Sequence, residues 1–217
     1  MRILANIRRG PGGAVLLVLG LVSTVLLPGC AGQAAGRPQA WYAAHNGVPP
    51  RLHRIYVCHA FGCALKTPVD FSKRDLSRLR QILAAGRANP EAERRAIARA
   101  VAWNEKRVAP LVGSENDVGG LDLANAGVPG QMDCIDEATN TTSLLLVAEE
   151  NGLLRHHRVT TPVARGYFLD GRYPHATAVV VERESGAAHA VDSWPQANGE
   201  LPTVMPLDDW FAASAAG

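Results

Sequence analysis

The chain has 217 residues, 47 % of them hydrophobic, and its 22 basic and 20 acidic side chains leave a formal charge of +2. That is enough apolar material for one core of ordinary domain size. No basic stretch interleaved with aromatic residues occurs, so nothing points to nucleic acid as a partner.

The first thirty residues read as a targeting signal. Arg2, Arg8 and Arg9 precede an apolar run from Ala14 to Leu27. That run falls short of the roughly 20 residues that span a bilayer comfortably. It ends in Leu27-Pro28-Gly29-Cys30, which resembles a bacterial lipobox. The resemblance implies a signal peptide over 1–29 and a lipid-modified Cys30 as the mature N-terminus. The competing reading is an ordinary signal peptide cut after the small residues at 31–35. Either way the remainder is expected to be exported, on the lipobox reading as a lipid-anchored protein of the bacterial cell envelope facing the periplasm.

Residues 30–50 are rich in Ala, Gly and Pro and are expected to form a tether, with the folded domain over 51–213. "RIYVCHAFGC" is β-branched and aromatic enough for a strand or hairpin. Ser72 with Asp75 three residues later opens a helix whose Leu76, Leu79 and Leu83 share a face before Gly86. Asn89-Pro90-Glu91 opens a second helix, with Ile97, Val101, Trp103 and Val108 on its apolar side and Pro110 as its expected stop. Residues 112–130 have no clean period and read as a long loop, a class that often carries function.

A third helix starts at Cys134, capped by Asp133 and closed by Asn151-Gly152. Its inward side is expected to be Ile135, Ala138, Thr142, Leu145 and Leu146, against the poor helix propensity of residues 140–143. Strands follow: "RVTTPVARGYFL" into the turn signal Asp170-Gly171, "HATAVVVE" into a turn near 183–186, and "AAHAVDSW". Helices followed by an antiparallel meander predict an α+β fold. Asp208, Asp209 and Trp210 read as an acidic surface near the chain end.

Four cysteines are present. If Cys30 carries lipid, Cys58 and Cys63 are the natural disulfide pair across Gly62, and Cys134 is left as a free thiol in an oxidising compartment. Zinc on Cys58, His59 and Cys63 is the weaker reading, because no second pair has ligand spacing. No metal or organic cofactor is implied.

A thiol that attacks a carbonyl needs a base and a group to orient that base. A helix N-terminus favours the thiolate, whereas Asp133, Asp136 and Glu137 oppose it. Of seven histidines, His189 cannot pair with Asp192, because residues three apart on a strand face opposite ways. His175 can. A turn centred between Arg183 and Glu184 puts it directly opposite Asp192, and a turn one residue later makes the two diagonal neighbours within reach. The backbone N–H of Cys134 and the side-chain amide of Gln131 are candidate oxyanion donors.

The segments "MDCIDEATNTTSLLLVAEENGLLRHHRV", "PHATAVVV" and "HAVDSW" together resemble the transglutaminase-like cysteine enzymes, especially the bacterial transglutaminase-like cysteine peptidases, over roughly residues 90 to 195. The resemblance implies a papain-like fold with Cys134 as nucleophile, His175 as base and then acid, and Asp192 as its orienter. It departs at Ile135, where many bacterial members carry an acid. It implies a peptidase, amidase or transglutaminase acting on a protein or peptide of the cell envelope. The alternative expectation is a non-catalytic lipoprotein that uses the same scaffold to bind a partner.

Overall fold

The computed structural model describes residues 36–121, 123–166 and 174–213. The targeting segment, Cys30 and the Asp170-Gly171 turn lie outside the described residues. Helix α1 (Gln39–Ala44) leads to a hairpin of β1 (Arg54–His59) and β2 (Leu65–Asp70), then α2 (Lys73–Ala84) and α3 (Pro90–Val112). Helix α4 (Cys134–Glu150) follows a long loop that holds one short 3-10 turn (Leu123–Asn125). Strands β3 (His157–Arg165), β4 (His175–Glu182), β5 (Ala188–Asp192) and β6 (Thr203–Pro206) form an antiparallel sheet in that order, and α5 (Leu207–Ala212) ends the described chain. The class is α+β, with helices and two antiparallel sheets.

The helix starts follow local chemistry. Ser72 and Asp75 exchange side-chain-to-backbone bonds at the head of α2. Asn89 Oδ1 accepts the N–H of Ala92 above the Pro90 start of α3. Asp133 accepts from the N–H groups of Ile135 and Asp136 to cap α4.

Helix α4 lies between the β1–β2 hairpin and the four-stranded sheet, and it is buried nearly all round rather than along one stripe. Leu144, Leu145 and Val147 join Ile55, Val57, Ala178 and Val180 in the main core. The poor helix formers of its middle are used as bonding groups. Trp41 Nε1 donates to Thr139 at 2.9 Å, Ser143 meets the Tyr42 hydroxyl at 2.8 Å, and Asn140 exchanges two bonds with the backbone of Cys58. Tertiary satisfaction of these polar groups overrides their weak propensity.

Three expectations are corrected. Within the expected tether, Gln39–Ala44 is helical and buries Trp41 and Tyr42 on α4. Helix α3 continues past Pro110 to Val112, whose side chain is buried, and ends at left-handed Gly113, whose N–H reaches Ala109. In the stretch read as acidic surface, Asp208 and Asp209 are exposed as expected, but their neighbour Trp210 turns inward from the same short helix and is 1 % exposed. Among the described residues no helix is long and apolar enough to cross a membrane.

Candidate active site

Cys134 is the first residue of α4 and is buried, 7 % exposed. Its position has no intrahelical acceptor for its own N–H. The thiol donates to the carbonyl of Pro174 at 3.8 Å, and the N–H of Ala176 is directed at the sulfur. The sulfur thus contacts the backbone on both sides of His175, at the start of β4.

The β4–β5 register pairs Ala178 with Val191, which makes Asp192 the diagonal neighbour of His175 rather than its direct opposite. Both side chains fall on the same sheet face, and His175 Nε2 meets Asp192 Oδ2 at 2.6 Å. An ionised carboxylate accepts only, so this bond fixes the proton on Nε2 and leaves Nδ1 as the basic nitrogen. Nδ1 is buried with no hydrogen-bond partner among the described residues, as is Asp192 Oδ1.

Three of the four tryptophans wall this site. Trp41 packs against Cys134. Trp194 lies 4.7 Å from the His175 ring, centroid to centroid. Trp210 lies 5.4 Å from it on the other flank and donates Nε1–H to Asp192 Oδ2 at 2.8 Å. Neither Trp41 nor Trp210 was legible as a site residue. The signal available was only a bulky aromatic within each of two segments that otherwise read as solvated.

The electrostatics run against a resting thiolate. Burial first, then the charges of Asp133, Asp192 and Asp136, push the Cys134 thiol up to about 12, with only the Ala176 N–H acting the other way. Asp136, 0 % exposed, is itself pushed up to about 8 by burial and by Asp133. It is held by the neighbouring disulfide loop. Cys58 and Cys63 are bonded, and Ala60, Phe61, Gly62 and Cys63 all have positive φ. That run of left-handed residues aims the N–H groups of Phe61 and Cys63 at Asp136 and of Gly62 at Asp133. The disulfide loop is therefore a cradle for the acids beside the nucleophile candidate.

Gln131 does not point its amide at the sulfur. Its Nε2 donates to the carbonyl of Asn116 and its Oε1 accepts from Asn125, so the side chain braces the 112–130 loop. His59 bonds Thr67 through Nε2 and the N–H of Gly130 through Nδ1, which takes it away from any ligand role with the cysteines. Among the described residues the one group with ligand-like spacing is Cys58, Cys63 and Asp136, and its sulfurs are joined to each other.

The 112–130 loop is tied down by its polar groups. Asp117 accepts the N–H of Met132, and the N–H of Gly120 donates to the carbonyl of Trp194. A Cβ at Gly130, which has φ +89°, would collide with the carbonyl of Gly113. The same loop exposes Val118, Leu121, Leu123 and Val128. The loop is thus fastened at Gly120 to Trp194, whose ring lies against His175, and it presents these apolar side chains to solvent.

No protein-family model, no curated protein and no solved structure matches this chain.

Proposed function

We propose that the chain is a thiol acyl-transfer enzyme of the bacterial cell envelope, of transglutaminase-like, papain-like architecture, lipid-anchored through Cys30. Its default activity is that of a cysteine peptidase or amidase, and an amine acceptor in place of water would make it a transglutaminase. The observation that carries this reading is the 2.6 Å His175–Asp192 pair, buried beside a thiol at a helix N-terminus, with the imidazole's second nitrogen left free.

The chemistry follows from the tautomer. Substrate binding displaces the thiol from the Pro174 carbonyl towards Nδ1. As the sulfur attacks the amide carbonyl, Nδ1 takes the thiol proton, and Asp192 stabilises the imidazolium that forms. The oxyanion faces the backbone N–H of Cys134, since the next two N–H groups of α4 are held by Asp133. His175 then returns the proton to the leaving amine, and water or a second amine releases the acyl group.

The test is labelling of the full chain with a peptide carrying a thiol-directed electrophile at its carbonyl end. The proposal expects one adduct, on Cys134, absent in Cys134→Ala. An adduct that survives in Cys134→Ala, or cleavage of a peptide library by Cys134→Ala at the parent rate, contradicts it.

A second reading is favoured by the burial of the thiol beside Asp133, Asp192 and Asp136, which holds the proton on the sulfur. On that reading the scaffold binds a peptide or partner without chemistry. It expects the electrophilic peptide to bind reversibly and leave no adduct.

A further inference from the structure

Asp192 Oδ2 receives two donors, His175 Nε2 at 2.6 Å and Trp210 Nε1 at 2.8 Å. The other carboxylate oxygen, Oδ1, is buried without a partner among the described residues. A carboxylate held by one donor can swing about its Cβ–Cγ bond while keeping that single bond. Two donors converging on one oxygen from different elements restrict that swing, because a tilt that keeps one bond lengthens the other. The arrangement thus fixes the plane of the carboxylate that faces the imidazole.

The donor is itself held from two sides. The Arg165 guanidinium lies 4.4 Å over the Trp210 ring and also donates to the carbonyls of Trp210 and Ala213. Arg165 is the β3 register partner of His175. One strand pair therefore carries both the imidazole and the arginine that seats the tryptophan. Phe211 closes the far side at 5.2 Å, edge to face. A buried indole N–H needs an acceptor. Here that acceptor is the carboxylate of the candidate site rather than a backbone carbonyl of the sheet.

We propose that Trp210 is a positioning residue of the Cys134–His175–Asp192 unit: its indole N–H locks the Asp192 carboxylate so that the imidazole keeps one tautomer and one orientation towards the sulfur. This rests on the acyl-transfer reading and deepens it. The short C-terminal helix becomes part of the site, although it carries no reacting atom.

The experiment uses the full chain and Trp210→Phe, which keeps a ring and removes only the indole and its N–H donor. Iodoacetamide labelling of Cys134 at pH 7 is expected to slow about tenfold, the scale of losing one hydrogen bond to a charged acceptor. In an Asp192→Asn background the same change is expected to alter the rate less than twofold, since the locked carboxylate is already gone. Equal labelling of Trp210→Phe and the parent, or the same loss factor in both backgrounds, overturns the inference and leaves the acyl-transfer reading standing. If Cys134 labels in neither, the acyl-transfer reading falls and two resonances decide on the bond. The His175 Nε2–H proton is expected to shift in Trp210→Phe, and the Trp210 indole proton in Asp192→Asn. The second of these also serves if the phenylalanine variant does not fold. Unmoved protons overturn the positioning role.

Discussion

Among the described residues two buried histidine–carboxylate pairs occur, and they differ in what they leave unsatisfied. His157 Nδ1 meets Glu93 Oε2 at 2.8 Å, and Glu93 also accepts the N–H groups of Arg155, His156 and His157. The remaining ring nitrogen of His157 faces Arg94 at 3.4 Å. Burial alone would raise Glu93, but the His157 bond and the backbone N–H groups outweigh it and hold the carboxyl below its usual range. This pair is saturated, and it clasps α3 to the start of β3. The His175–Asp192 pair is shorter and nearly as buried, yet its Nδ1 and Oδ1 have no hydrogen-bond partner among the described residues. In this comparison the saturated pair is a structural clasp, and the open Nδ1 belongs to the imidazole proposed as the base.

The comparison breaks if the two histidines behave alike. His175→Ala is expected to slow acylation of Cys134 by about 10²- to 10⁴-fold, the usual span of general base catalysis, with a small change in thermal midpoint. Glu93→Ala is expected to do the reverse. It strands three backbone N–H groups and the His157 ring nitrogen and costs about 3 kcal/mol or more, lowering the midpoint by roughly 6–12 °C in a chain of this size, with labelling of Cys134 at the parent rate per folded molecule. Calorimetry beside labelling kinetics separates the two. Equal stability losses and equal reactivity losses would erase the distinction.

Reduction of Cys58–Cys63 sharpens the contrast from the acidic side. Opening so short a loop is expected to cost about 2 kcal/mol. It also loosens the N–H cradle around Asp133 and Asp136, so Cys134 reactivity is expected to change while the Glu93 clasp, read by hydrogen exchange at residues 155–157, stays protected.

A slower pH effect comes from a third set of buried carboxyls. Glu105 is pushed up to about 9 by burial and by Glu137, and Glu137 up to about 7 by burial, with Asp117 and Asp192 adding to it. Glu137 accepts from Ser193 at 2.7 Å and Glu105 accepts the N–H of Gly199 at 2.7 Å. Both lie on a small cavity of about 10 Å³, room for one water. The unfolded carboxyls titrate near ~4.3, so between there and about 9 these two groups hold more protons in the folded chain than in the unfolded one. Stability therefore falls as pH rises through that window. The urea midpoint is expected to be lower at pH 9 than at pH 5, and Glu105→Gln is expected to flatten the upper part of the curve.

Much of the site's frame was legible because it is local. Ser72 with Asp75, Asn89 with Pro90, and Asp133 before Cys134 announce helix starts through bonds that span three residues. The His175–Asp192 relation followed from strand alternation and a turn centre, which the structure places one residue late. What stayed hidden is non-local. The His157–Glu93 clasp joins residues 64 apart in sequence. Trp41 sits in a segment whose composition resembles linker, and only its fit against α4 orders it. Pro110 is carried in the last turn of α3 by tertiary packing, since Val108 and Val112 on either side of it are both in the core. Residues 60–63 adopt left-handed backbone at three non-glycine positions, a conformation stabilised by the acids they hold rather than by their own preference. Trp210 was read with its acidic neighbours, and nothing in that short stretch reveals an acceptor 18 residues away.

The most direct measurement is the rate of Cys134 alkylation against pH in the parent and in His175→Ala. The account predicts measurable labelling near pH 7 in the parent and at least a tenfold loss in the variant, since the imidazole takes the proton that burial and three acids hold on the sulfur. Superimposable curves that rise only above pH 10, as for an isolated thiol pushed up to about 12, would contradict it.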